Sequence, residues 1–149
     1  MNLNDFLVKA KLNGYCNPDV RPQEFADGRR EYLFIEDNMA YHDAYHGENP
    51  FQGHELVWED NIPIWGMVYR GRVISDSVPQ DEIFDFLKVS LRHVDKFFPV
   101  RGPINYSRGE FQYILESSGD IEEFNGVERI LHDRKEVYIL RFEGGTIRS

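Results

Sequence analysis

The chain has 149 residues, enough for one domain with its own core, and a single cysteine, Cys16, which excludes an internal disulfide and any zinc site built from several cysteines. Twenty-six acids against seventeen lysines and arginines leave a net charge of −9, the wrong sign for a stripe that displaces phosphate counterions, so direct nucleic-acid binding is not expected. No apolar run approaches the ~20 residues of a membrane helix, and residues 1–15 lack the pattern of a secretory signal, so the expected location is the cytoplasm, with no membrane contact.

Residues 3–12 read as a short helix. Leu3, Phe6, Leu7 and Ala10 form one stripe, Asn2 is placed to cap it, and Gly14 to stop it. Residues 15–30 are polar, with two prolines, and predict an ordered loop or flap. Strands are expected at 32–35 and 39–45 around Glu36-Asp37-Asn38, and at 55–58 and 62–70 around Glu59-Asp60-Asn61. Within 62–69 both alternating sets are largely apolar, which places that strand centrally, covered on both faces.

Residues 78–98 predict the one long helix. Ser77 to Gln80 has capping-box spacing, and Ile83, Phe84, Leu87, Leu91, Val94 and Phe98 make its stripe. Strands follow at 111–116, 122–124, 127–131 and 136–142, with Gly144-Gly145 releasing the chain. The expected fold is a single α+β domain over 1–149: one curved antiparallel sheet of six or seven strands, the long helix on its convex side, and a short N-terminal helix.

Residues 41–71 carry the densest information. Two tryptophans and three tyrosines are interleaved with Asp43, Glu55 and four glycines. The motifs Tyr41-x-Asp43-x-Tyr45-x-Gly47, Phe51-x-Gly53-x-Glu55-x-x-Trp58 and Pro63-x-Trp65-x-Met67-x-Tyr69-x-Gly71, with Arg101-Gly102-Pro103 and Phe124-x-Gly126-x-Glu128 further on, resemble an uncharacterised bacterial family. That family is a domain of unknown function found alone or fused behind an Xre-type helix-turn-helix. The resemblance spans nearly the whole chain and implies a sensory or partner-binding module, without supplying a catalytic residue. The first helix here is too short, and the chain too acidic, to read DNA, so a regulatory role would act through a separate transcriptional regulator.

Chemistry that needs a recognisable motif is not spelled. His42, His46 and His54 do not show metal-ligand spacing, since on one strand His42 and His46 lie ~13 Å apart. No serine sits in a nucleophile elbow, and no cofactor loop is present. Asp43 and Glu55 are candidates for an acid–base pair if their strands place them on one face. Arg101, on a Gly-Pro turn, is suited to pair an anionic ligand, or a buried acid such as Glu55 or Glu128. The rings Tyr41, Tyr45, Trp58, Trp65 and Tyr69, mixed with these acids, match the mostly apolar lining of a ligand site. The expected function is therefore non-catalytic binding of a small molecule or peptide, with Trp65, Tyr45 and Tyr69 as walls. A small hydrolase or isomerase using Asp43 and Glu55, and an acidic protein-interaction module, are the alternatives.

Overall fold

A computed structural model describes residues 1–149. Helix α1 (Leu3–Leu12) leads into strands β1 (Gln23–Glu24), β2 (Arg30–Glu36), β3 (Met39–Gly47), β4 (Phe51–Glu59) and β5 (Ile62–Val73). Helix α2 (Gln80–Leu91) then precedes β6 (Asn105–Arg108), β7 (Phe111–Asp120), β8 (Glu123–His132) and β9 (Lys135–Thr146). All nine strands form one antiparallel sheet in the order β1-β2-β3-β4-β5-β9-β8-β7-β6. Strand β5 is its middle member. Both edge strands are short, which limits edge-to-edge pairing with other chains.

Nine strands replace the expected six or seven for identifiable reasons. Residues 117–120 look like a turn because of Ser117-Ser118-Gly119, yet they extend β7, and the chain reverses one step later. The segments at 122–124 and 127–131 are one strand, β8, paired without interruption to β7. Gly144 and Gly145 lie inside β9 rather than after it. The two short edge strands are too brief for an alternation signal. By contrast, the turn chemistry is as expected. Asp60-Asn61 and Asp133-Arg134 both adopt positive φ, as two-residue hairpin turns with the sheet's own twist require.

Helix α2 is shorter than the stripe over 78–98 implies. Beyond Leu91 the chain turns, because His93 and the segment before Pro99 leave the helical path. The expected capping box does not form: Pro79 occupies the cap without a side-chain bond, and Ser77 bonds to Ser75 instead. Ile83, Leu87 and Leu91 are buried, as the stripe requires, whereas Val94 lies past the helix and is half-buried. α1 matches its reading, with the Asn2 side chain accepting from the Asp5 amide at 2.8 Å.

The helices and the aromatic strand residues share one face. Phe6, Leu7, Ile83, Phe86 and Leu87 belong to the same apolar cluster as Tyr41, Trp65, Tyr69 and Tyr138. Phe84 bridges the layers, meeting Phe51 at 6.2 Å and Tyr138 at 6.3 Å between ring centroids. This corrects the expected placement of the long helix opposite the rings. A single buried face must serve both, since an α-β two-layer domain has only one core. The opposite, outer face carries no covering element, and Leu33 and Ile35 on it are 62% and 64% exposed. β5 is accordingly covered on its inner face, while Val68 on the outer side is exposed.

Candidate functional site

The strand alternation decides which side chains meet. Residues 41, 43 and 45 of β3 point to the inner face, and the register sets Asp43 directly opposite Glu55, and Tyr45 opposite Gly53, which in turn faces Tyr69. Gly53 is required there: a Cβ would stand 2.6 Å from Tyr45 Cβ and 2.7 Å from the Tyr69 hydroxyl. Its absence lets Tyr69 cross over β4 and donate to Asp43 Oδ1 at 2.5 Å.

Three acids and two cations are buried on this face. Glu128, on β8, is inaccessible, and its two oxygens receive four donors. Arg101 grips it bidentately through Nε at 3.0 Å and Nη2 at 2.8 Å, and the Tyr113 and Tyr138 hydroxyls donate at 2.5 and 2.9 Å. Gly102 lets Tyr113 pack against the Arg101 turn, where a Cβ would lie 2.7 Å from the ring and hydroxyl. The Gly102 amide donates to that hydroxyl at 2.9 Å. Burial opposes the Arg101 charge, but the Glu128 carboxylate beside it outweighs that and holds its pKa well above the usual value. Glu55, 2% exposed, has its own cation: Lys11 of α1 donates to it at 2.6 Å and to the Val100 carbonyl at 2.8 Å.

Asp43 is the acid left over. It is 7% exposed and has Tyr69 as its one hydrogen-bond donor, on Oδ1. Burial pushes its pKa up to about 7, and the neighbouring Glu55 charge adds to the rise, against the opposing pull of Tyr69, Lys11 and Arg101. Asp43 Oδ2 and Arg101 Nη1 make no hydrogen bond within the protein. Neither is sealed off, because the sole buried side-chain polar atom lacking both partner and access is Arg29 Nε.

The space they face is a cleft of about 470 Å³. Asp43, Tyr69 and Arg101 lie at its inner end; Tyr15, Tyr32 and Tyr45 form one wall, and Phe51, Phe84, Leu87 and Lys88 another. That volume lies within the usual range for small-molecule sites. Tyr15 meets both Tyr32 and Tyr45 edge-on, at 6.4 Å in each case. A second hollow of about 30 Å³ lies deeper, bounded by Lys11, Tyr41, Asp43, Glu55 and Arg101.

Of the residues singled out from sequence, Asp43, Tyr45, Tyr69 and Arg101 line the cleft, while Tyr41 and Glu55 border the small inner hollow but not the cleft. The tryptophans lie elsewhere. Trp65 is sealed in the core, stacked on Phe124 at 5.7 Å and donating to the Ile121 carbonyl. Trp58 stands on the outer face, edge-on to His42 at 5.0 Å, where a shift in register at Val57/Trp58 accompanies it. Sequence reasoning missed Tyr15 and Tyr32, which flank the 15–30 loop as polar-tipped rings, and Lys11, in the last turn of α1.

The histidines also differ from their reading. His42 and His46 are apart, but the register brings His54 of β4 beside His42, with 3.1 Å between their Nε2 atoms, and Glu31 holds His42 Nδ1 at 2.8 Å. This pair lies on the open outer face. No three His, Cys, Asp or Glu side chains converge as a metal set. The same face carries a wide open groove of about 1050 Å³ flanked by Arg29, Arg70 and Arg141. Its openness and exposed lining make it a poorer enclosure for a small ligand than the smaller cleft.

No helix is long and apolar enough to cross a membrane. No curated protein and no solved structure matches the chain. A family profile, Domain of unknown function (DUF5680), matches residues 43–147. The match takes in Asp43, Tyr69, Arg101 and Glu128, and leaves outside it α1, the turn after it, β1 and β2, which bring Lys11, Tyr15, Arg30 and Tyr32 to the site. Covering more than half of the sequence, it shows that this chain belongs to the family of domains of unknown function DUF5680.

Proposed function

We propose that this is a non-catalytic, sensor-like domain that binds a small molecule in the cleft between the sheet and α2. One observation carries the reading. Asp43 and Arg101 are both more than nine-tenths buried, and each keeps a polar atom unpaired at the end of an aromatic-walled cleft. Both atoms stay accessible, so they can exchange water for a ligand's polar groups, as the few oriented polar groups of a mostly apolar small-molecule site do. The cleft's size favours a small molecule over an extended peptide. As a sensor, the domain would report occupancy to a separate transcriptional regulator rather than contact nucleic acid itself.

The acid–base alternative has one supporting observation, an Asp43 carboxyl pushed up to about 7, where proton transfer at neutral pH is efficient. Its partner is poorly placed, because Glu55 is held by Lys11 and borders the inner hollow rather than the cleft. A thermal-shift screen against metabolites tests the binding reading, since a ligand at 100 times its dissociation constant adds about 2.7 kcal/mol. Hits should lose affinity in Tyr45→Ala. Hits that bind this variant like the parent, or a conversion of the hit to product, would sink the proposal.

A further inference from the structure

Given that reading of the cleft, we infer that its ligand is an organic cation, an apolar or aromatic body carrying a primary amine or guanidine. Three independent features point the same way. The first is the charge count of the buried cluster. Lys11 and Arg101 face Asp43, Glu55 and Glu128; each cation is matched to one acid at 2.6–3.0 Å, and Asp43 is the one acid without a cation. Asp43 lines both the cleft and the hollow behind it, and its Oδ2 is an acceptor without a partner in the protein.

The second is the rim. Glu24, Glu48, Asp81 and Asp85 stand around the mouth against Arg30 and Lys88. Arg30 lies 3.7 Å from Glu24, which leaves the mouth acidic on balance. Such a rim draws in cations and disfavours carboxylates and phosphates. The third is the wall. Tyr15, Tyr32, Tyr45, Phe51, Tyr69 and Phe84 present ring after ring to one small volume. Two of these rings already receive the protein's own cations: Lys88 Nζ lies 5.1 Å from the Tyr15 centroid, and the Arg101 guanidinium 5.6 Å from that of Tyr69. Electron-rich ring faces with an unmatched carboxylate between them are the usual means of recognising an ammonium group.

The charged and titratable groups facing Asp43 are Tyr32 from β2, Tyr41 and Tyr45 from β3, Glu55 from β4, Tyr69 from β5, Lys11 from α1, and Arg101 from the loop after α2. Of these, Lys11 and Arg101 are engaged by Glu55 and Glu128, so the charge that changes near neutrality is Asp43's own.

The test uses three probes of one shape, namely benzylamine, benzyl alcohol and benzoate, titrated into the full chain and followed by amide NMR shifts of the cleft residues. Benzylamine should bind about tenfold tighter than benzoate and tighter than the alcohol. Its affinity should rise about tenfold from mildly acidic to mildly alkaline pH as Asp43 ionises. Asp43→Asn keeps an acceptor for Tyr69 and should fold, yet should lose both the amine preference and the pH dependence. Should benzoate or benzyl alcohol bind in the cleft as well as benzylamine, the cation assignment is overturned while the binding reading stands. Should none of the three perturb the cleft at millimolar concentration, both fall together. An amine preference that survives in Asp43→Asn would also overturn the role assigned to that residue.

Discussion

Glu128 and Asp43 are both acids buried on the same face of the same sheet, and their surroundings differ in a way that separates structure from function. Glu128 receives four hydrogen bonds from three side chains, is paired to a cation, and lines neither the cleft nor the inner hollow. Such a fully satisfied network rigidifies the core that contains it. Asp43 receives one bond, has no cation of its own, and faces the cleft. The hydrogen-bonding capacity of the first acid is filled and that of the second is not. Burial alone therefore identifies neither; what separates them is whether each polar atom already has a partner.

The largest effect expected from this contrast falls on Glu128. Glu128→Gln leaves Arg101 buried without a counter-charge, and breaking a buried pair from one side costs about 3–5 kcal/mol. Urea denaturation should show that loss at every pH in the neutral range. A loss below about 1 kcal/mol would mean that the network is not the structural acid described here.

Leu87→Ala probes the packing of α2 on the sheet face that carries both acids. Leu87 is 1% exposed, belongs to the core and also reaches the cleft wall. Truncation should cost about 2–5 kcal/mol, towards the lower end if the cleft already provides room for relaxation. A cost under about 1 kcal/mol would show that α2 does not carry the core.

Asp43→Asn should act with the opposite sign. In the folded protein Asp43 holds its proton up to about 7, against 3.8 as the ordinary value, so the folded state binds the extra proton between those limits. Stability from this group is full below the lower value and is lost as pH rises through the upper one. Asn mimics the protonated form, so the variant should be more stable than the parent above neutral pH, by on the order of 2–4 kcal/mol, with the gain vanishing in acid. Melting curves across that range check it; a variant that is less stable than the parent at alkaline pH would place Asp43 with Glu128 as a structural anion.

Much of this was readable from the chain. The helices at either end of the first strand set, the hairpin turns at Asp60-Asn61 and Asp133-Arg134, and the antiparallel pairing of strands joined by short turns follow from local chemistry that needs no distant partner. So did the suspicion that Asp43 and Arg101 matter, because an acid among rings and a guanidinium on a Gly-Pro turn are locally odd. What was not readable is whatever depends on register or on distance along the chain. Asp43 meets Glu55, and His42 meets His54, because one hairpin register puts them opposite or diagonal. Lys11 reaches Glu55 across forty-four positions, and Arg101 finds Glu128 across twenty-seven. The tryptophans were misread for the same reason: a large ring signals burial equally well in a pocket wall and in a solid core.

That last ambiguity yields the smallest expected effect. Trp65 is fully buried against Phe124, with its indole N–H satisfied by Ile121, and Trp58 is on the outer face beside His42. Neither borders the cleft, so saturating it with benzylamine should leave the wavelength of tryptophan emission essentially unchanged. The amide resonances of Tyr45 and Lys88, which do line it, should move in the same titration. Trp65→Phe should retain the core stacking and bind the probe with the parent's affinity, at a stability cost of about 1–3 kcal/mol for the lost ring volume and hydrogen bond. A tryptophan shift that tracks the titration and disappears in Trp65→Phe would mean that the ligand sits deeper, among the β5 and β8 rings. The Asp43 end of the cleft would then not be the site.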